Sequence, residues 1–401
     1  MKSIATTTSI VGFDHQARTR IVFGPDSVER IGPLAAEWDA KRVLLVTDPH
    51  IVQAGHAERL QASLIEAGID VVLFAEVREN PTTDDVDVAL QVAREAKVDT
   101  IVGLGGGSAL DTAKGCNFLL TNGGTMHDYW GVGKATKAML PLIAVPTTAG
   151  TGSECQSFAL IADAKTHQKM ACGDSKAAAR VAVLDPKLTL TQPTHVTANT
   201  GIDTVTHAVE AAVTVKRNEM STLYAREAFR LAQLELPRVL AEPDNLDARG
   251  RMQLAAAFAG TAIENSMLGA AHSAANPLTA HFNIVHGQAV GLMLPAVIRF
   301  NLGDDDARRL YAKLAVHARL IGPDAAELEA VAALLERITA LLDAAQIPTS
   351  LEEAGANAAM IPTLAAEAAG QWTANFNPRA VTADDFAKLY EQSFARRTAE
   401  L

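Results

Sequence analysis

Asp203 and His207 stand four residues apart in a stretch with helical spacing, GIDTVTHAVE, so their side chains point to one face, one turn apart. A carboxylate and an imidazole so placed are a candidate pair of ligands for a divalent metal ion, and Asp203 is equally readable as a first-turn acid at a helix start. Two more histidines, His272 and His286, lie in an apolar stretch rich in small residues. Each alone reads as an ordinary core or surface histidine. Taken together, one carboxylate and three imidazoles would suit Fe(II), Zn(II) or a similar ion with positions left for substrate; spacing by itself leaves that choice open.

A second constellation is built for a phosphate. The segment GLGGGSALDTAK at 103–114 follows an apolar run and leads into a helical pattern. Gly105, Gly106 and Gly107 let the backbone approach a diphosphate, and the first N–H groups of the following helix favour its charge. A plain turn would not need three adjacent glycines. The pattern is neither the GxGxxG fingerprint nor a Walker loop, because no GK[ST] follows. Ser108 and Asp111 belong to the same segment. The loop PTTAGTGSE at 146–154 again follows an apolar run, and its Thr147, Thr148 and Thr151 offer short hydroxyls beside a bound cofactor. Asp48, at the end of the first apolar run, is a candidate acid for an adenosine ribose, which would favour NAD over NADP; it is equally a turn residue before Pro49.

These segments need a scaffold, and the pattern supplies one. Residues 42–47 (RVLLVT), 70–74 (DVVLF), 99–104 (DTIVGL), 142–145 (LIAV) and 181–184 (VAVL) read as strands, with helical patterns at 56–67 and 83–96 between them. That alternation predicts an α/β half with a parallel sheet. By this reading the glycine turn follows the third strand and not the first, which implies a topology unlike the standard dinucleotide fold. After about residue 190 the chain becomes Ala- and Leu-rich with helical periodicity, so the second half reads as all-helical. The expected division is an α/β dinucleotide-binding domain over 1–190 and a helical metal-binding domain over 191–401. Residues 190–199 (LTQPTHVTAN) form the connector, and Gly201 and Asp203 open the next helix. Helices are also expected over 325–345 and from Ala383 onward.

The bulk numbers exclude several classes. A chain of 401 residues, 48% hydrophobic and 20% charged, builds ordinary cores and two domains. Its net charge of −11 and lack of a basic run argue against a nucleic-acid partner. Residues 1–8 (MKSIATTT) do not resemble a signal peptide, and no stretch is apolar enough to span a membrane, which points to the cytoplasm. Cys116, Cys155 and Cys172 are dispersed and suggest neither disulfides nor a thiolate zinc site.

The ordered motifs, from IVFG at 21–24 through GGGSALDTAK, PTTAGTGSE, HQKM at 167–170, LDP at 184–186, the Asp203/His207 pair and the His272 and His286 contexts to NPR at 377–379, resemble the iron-containing (group III) alcohol dehydrogenases, which share a fold with glycerol dehydrogenase and dehydroquinate synthase. The resemblance covers nearly the whole chain. It implies an active site in the cleft between the two domains, with Asp203, His207, His272 and His286 as ligands of Fe2+, Zn2+ or Mn2+ being the alternatives. It also implies that Asp48, Gly105, Gly106, Gly107, Ser108, Asp111, Thr147, Thr148 and Thr151 line an NAD site, with Lys169 and Leu188 beside it. The reaction so implied is hydride transfer between a small alcohol and NAD, giving an aldehyde or ketone, by a homodimer or larger homo-oligomer. A dehydroquinate synthase-like lyase is less suited, because residues 260–290 contain no Lys or Arg for an acidic phosphorylated substrate. A nucleotide- and metal-binding sensor without catalysis is the non-enzyme alternative. One position departs from the family: many members carry a histidine four residues after the first cleft histidine, and this chain has Asn276, which takes up no proton near neutral pH. His281 is a candidate substitute, though it reads more simply as a surface histidine.

Overall fold

A computed structural model describes residues 12–166 and 168–399; residues 1–8 and His167 of the HQKM motif lie outside the described residues. The strands are β1 (Arg20–Phe23), β2 (Arg42–Val46), β3 (Asp70–Phe74), β4 (Thr100–Gly105), β5 (Gly131–Val132), β6 (Leu142–Pro146), β7 (Phe158–Ala162), β8 (Lys169–Gly173) and β9 (Val181–Leu184). Six of them form a sheet in the order β1-β9-β6-β4-β2-β3, and every pair in it is parallel. The other three form a small sheet in the order β5-β8-β7.

The apolar runs of β4, β6 and β9 are buried along their whole length, as expected where helices cover both faces of a parallel sheet. The alternation along β2 assigns the faces. Leu44 and Val46 join the cluster that includes α4 (Thr83–Ala96) and α5 (Gly107–Asn122). Val43 and Leu45 face the opposite layer, formed by α1 (Ile31–Ala36) and α3 (His56–Glu66). The short α2 (Pro49–Gln53) follows β2 directly.

Beyond β9 the described chain is helical: α6 (Thr194–Ala211), α7 (Glu219–Ala241), α8 (Leu246–Asn265), α9 (Ala270–Phe282), α10 (His286–Asn301), α11 (Asp305–His317), α12 (Glu327–Ala344), α13 (Ile361–Ala369) and α14 (Ala383–Phe394). Their apolar faces share one large cluster. No helix among the described residues is long and apolar enough to cross a membrane. The two halves meet closely where loop 146–154 passes α8: a Cβ on Gly260 would stand 2.2 Å from the Gly152 carbonyl oxygen, so only glycine permits this approach.

Three expectations are corrected. β1 precedes the strands read from sequence, so the glycine turn follows the fourth strand. The small sheet was not anticipated. The connector placed at 190–199 is largely helix, because α6 starts at Thr194 with Pro193 at its N-cap; Asp203 therefore sits in mid-helix, and the first-turn reading of that residue is withdrawn. Proline is compatible with a helix start, where its missing N–H costs nothing, and Thr197 and Ala198 are already buried against the rest of the fold.

Candidate metal and cofactor site

Parallel strands deliver their carboxyl ends to one edge of the sheet, and the loops that follow them converge there. β2 and β4 are neighbours, so Asp48, just past β2, stands beside the glycine turn that ends β4. Its Oδ2 lies 3.4 Å from where a Cβ on Gly105 would be. Its Oδ1 accepts the backbone N–H groups of His50 and Ile51 at 2.9 and 3.1 Å, capping α2. The turn role is thus built, and it occupies one carboxylate oxygen.

The glycine turn and the threonine-rich loop touch. The Thr147 N–H donates to the Gly105 carbonyl at 3.0 Å. A Cβ on Gly106 would stand 3.4 Å from the Thr148 methyl, and one on Gly107 2.8 Å from the Thr151 methyl. Helix α5 starts at this junction with Gly106 as its N-cap and no side-chain cap, which leaves first-turn N–H groups for an anion. Ser108 accepts the Asn80 N–H at 3.3 Å. Asp111 is buried and accepts from the Ser153 hydroxyl at 3.0 Å; burial raises its pKa, with Lys114 opposing. Leu188 is fully buried in the apolar layer that contains Leu104 and Val183, so it presents no surface to a ligand in this structure and could only underlie one.

The four metal candidates do converge. The Nε2 atoms of His207, His272 and His286 lie 3.4, 3.5 and 3.8 Å from one oxygen, Oδ1 of Asp203. One helix, α6, presents Asp203 and His207; His272 comes from the first turn of α9, and His286 is the first residue of α10. Ligand atoms of Asp203, His207 and His272 lie within 4.8 Å of one another, with all three residues buried. The His207 and His272 rings stack at 4.7 Å. The His286 side chain is 29% exposed against 5% for Asp203, so the cluster is closed on three sides and open at His286. Burial would raise the pKa of Asp203, but the surrounding imidazoles hold it below the ordinary carboxylate range. Burial lowers His207, and lowers His286 to about 3 with help from Lys169. Burial also opposes charge on His272, yet Glu210 and Asp203 outweigh it and hold this residue at about 9.

Among the described residues, Asp203 Oδ1 and His272 Nε2 are buried without a hydrogen-bond partner. Orphaned buried atoms of this kind are costly unless something not yet present satisfies them. A tetrahedral ion with ligands at about 2.1 Å separates its donors by about 3.4 Å, and that is the spacing around Asp203. The residues therefore fit a divalent metal ion with nitrogen and oxygen ligands.

Lys169, the first residue of β8, feels both Asp111 and Asp203 electrostatically, while burial lowers its pKa; it links the two constellations. Thr204 does so mechanically, donating from α6 to the carbonyls of Ala149 and Gly150 at 3.1 and 3.2 Å. Asn276 donates to the Gln371 side chain at 3.1 Å. His281 is nine residues beyond His272, which turns it to the opposite face of α9, and it pairs with Glu367 at 2.9 Å.

Three residues escaped the sequence reading. Glu210 lies 2.5 Å from His272 Nδ1; the spacing 203, 207, 210 on one helix face was the available signal. Lys114, on α5, and Glu154, both buried, lie inside the two segments already singled out but carried no pattern of their own.

The pattern of the iron-containing alcohol dehydrogenases matches residues 18–186, and that of the Fe-containing alcohol dehydrogenase family C-terminal region matches 197–394. The chain is 32% identical over 375 residues to the NAD-dependent methanol dehydrogenase of Bacillus methanolicus, covering 93% of this chain and 97% of that one. It is 33% identical over 387 residues to the 1,3-propanediol dehydrogenase of Citrobacter freundii, covering 95% and 99%. The crystal structure of a 1,3-propanediol oxidoreductase superimposes with a TM-score of 0.92 at 32% identity, over 96% of this chain and 100% of that one. This chain belongs to the iron-containing alcohol dehydrogenase family.

Proposed function

We propose that this protein interconverts a small alcohol and its aldehyde or ketone with NAD as hydride carrier, at a divalent metal held by Asp203, His207, His272 and His286. The observation that carries the reading is the ring of three imidazole nitrogens around one buried, unpartnered oxygen of Asp203. The relatives named for methanol and 1,3-propanediol support the substrate class, and the family name favours Fe2+ over Zn2+ or Mn2+. A bound metal ion supplies Lewis acidity toward the alcohol oxygen and NAD supplies the hydride acceptor.

The protein's own part is charge and position. Asp203 contributes one negative charge, and the histidines contribute none once a cation displaces the second proton that Glu210 and Asp203 favour on His272, so a divalent ion here would keep a net charge of about +1 that favours the ionised form of an alcohol. The exposed side of His286 is the approach for substrate. Gly105, Gly106, Gly107 and the uncapped start of α5 would hold the diphosphate, with Ser108, Thr147, Thr148 and Thr151 around it. Asp48 Oδ2 would accept from the ribose, and Lys169 feels the charges of both Asp111 and Asp203, between the cofactor loops and the metal ligands. Leu188, in the apolar layer below, would underlie the cofactor.

In this reading the division of labour falls near residue 190, with cofactor binding in 1–190 and metal binding in 191–401. Three buried free cysteines suit a reducing cytoplasm. Exposed Ile21 and Phe23 on the edge strand β1 suit a homodimer or larger homo-oligomer. Replacing His272 with alanine should abolish NADH formation from a panel of primary alcohols while NADH still binds. Undiminished turnover in that variant would overturn the assignment.

A further inference from the structure

His272 is held from behind. Its Nδ1 lies 2.5 Å from Oε2 of Glu210, and Oε1 of Glu210 accepts the backbone N–H of Ala271 at 2.7 Å. Glu210 is 3% exposed, so both oxygens are engaged away from water. Helix α9 has no side-chain cap of its own. Its first free N–H groups are taken instead by Asn377, from Ala270 at 3.3 Å, and by Glu210, from Ala271. The chain bends tightly around this carboxylate: a Cβ on Gly269 would stand 3.1 Å from Glu210 Oε1. Helix α6 therefore carries Asp203 and His207 and, one turn on, the group that supports a ligand from another helix.

We propose that Glu210 is a positioning residue for the metal centre, fixing His272 with its proton on Nδ1 and its Nε2 lone pair turned toward Asp203. The inference rests on the metal-centre reading above. An ionised carboxylate can only accept, so the ring atom beside Oε2 must donate. A neutral imidazole has one N–H; with that proton on Nδ1, Nε2 is left as a bare donor to a cation. Nε2 lies 3.5 Å from Asp203 Oδ1 and has no hydrogen-bond partner. Carboxylates placed behind metal-bound histidines act in this way, and their loss typically weakens metal binding roughly 10- to 100-fold.

Glu210→Gln separates this role from simple capping, because it keeps shape and volume. A glutamine has one accepting oxygen where glutamate has two. If that oxygen stays with Ala271 N–H, the amide NH2 faces Nδ1 and forces the proton onto Nε2, where it blocks coordination. If the amide flips, its NH2 opposes the Ala271 N–H and the helix start is lost. The test is Co2+ titration of the metal-free full-length protein, followed by the visible d–d band, with NADH fluorescence as a second readout. The expected result is Co2+ affinity lowered roughly 10- to 100-fold in E210Q, with an altered band and NADH affinity retained. Equal Co2+ affinity in E210Q and wild type overturns this inference alone. A wild-type chain that takes up no Co2+ overturns the metal-centre reading and this inference with it. Should E210Q fail to fold, histidine-15N spectra of the Zn2+-loaded wild type decide: a His272 ring protonated at Nδ1 supports the proposal, and one protonated at Nε2 overturns it.

Discussion

Lys114 donates from its ammonium group to the Ser153 carbonyl at 2.6 Å and to the Ser153 hydroxyl at 2.8 Å, which fastens the helix after the glycine turn to the threonine-rich loop. A third bond, to the Phe158 carbonyl at 3.0 Å, uses the last of its donors. The residue is fully buried, and burial lowers its pKa against the pull of Asp111. Lys114→Met keeps the stem but takes a donor from the Phe158 carbonyl and the counter-charge from buried Asp111, while the Ser153 carbonyl still accepts the Gln156 N–H and the Ser153 hydroxyl still donates to Asp111. Removing the ammonium also removes a desolvation cost, which offsets part of the loss. At about 1–3 kcal/mol per unsatisfied group, a net destabilisation of about 1–3 kcal/mol is expected, together with weaker NADH binding because the helix and the loop are no longer tied. Urea unfolding measures the first and fluorescence titration the second; a stability unchanged from wild type would remove Lys114 as the fastener.

Glu154, next to this anchor, makes stability depend on pH. Burial pushes its carboxyl from 4.5 up to about 7, with Lys114 opposing weakly. The folded chain then retains a proton that the unfolded chain has released, so unfolding is favoured as pH rises. The favourable term is fully present below about 4.5, is lost between 4.5 and 7, and amounts to about 3 kcal/mol across that window. Glu154→Gln keeps the neutral form at every pH. The stability of E154Q relative to wild type should therefore grow by up to that amount between pH 5 and pH 8, measured by urea unfolding at each pH. A difference independent of pH contradicts the shift.

Asp48 serves two masters with two oxygens. Oδ1 caps α2 and Oδ2 faces the glycine turn, so Asp48→Asn keeps an accepting oxygen for the cap while removing the charge that would repel a 2′-phosphate. The expected outcome is a rise of at least about tenfold in the NADP-to-NAD ratio of kcat/KM, equivalent to about 1.4 kcal/mol. The fold should be retained. An unchanged ratio would reduce Asp48 to a helix cap.

How far the sequence led can be seen residue by residue. β2, β4, β6 and β9 were legible because parallel strands buried on both faces read as plain apolar runs, and β3 because its VVLF run is apolar although it lies at the sheet edge with only Phe74 buried. β1 was not, since it is four residues long, lies at the sheet edge and takes its register from Val181–Leu184, far along the chain. The pairing of Asp203 with His207 followed from helical periodicity, and the same periodicity would have added Glu210. The arrival of His272 and His286 at that pair depends on how the starts of two other helices dock against α6, a tertiary fact that spacing does not encode; the family resemblance supplied the expectation. For Asp48 the two readings were not exclusive, because a carboxylate has two oxygens and local spacing cannot say where each one points.

Asn276 sets the last expectation. Four residues after His272, it lies on the same face of α9 and donates to Gln371 at 3.1 Å, while His281 is turned away and paired with Glu367. Asn276 therefore offers no proton-accepting base at the position where the family resemblance implies a histidine. Asn276→His supplies one. A neutral imidazole accepts a proton and a protonated one does not, so kcat/KM for alcohol oxidation in N276H should acquire an additional ionisation near the ordinary histidine value of about 6.5. The variant should exceed wild type above that pH and match it below. General bases contribute up to about 10²–10⁴-fold when fully aligned; a gain nearer tenfold is expected here, because the Gln371 contact would have to be exchanged for one to substrate or water. Superimposable pH profiles for N276H and wild type would show that position 276 takes no part in proton transfer in this protein.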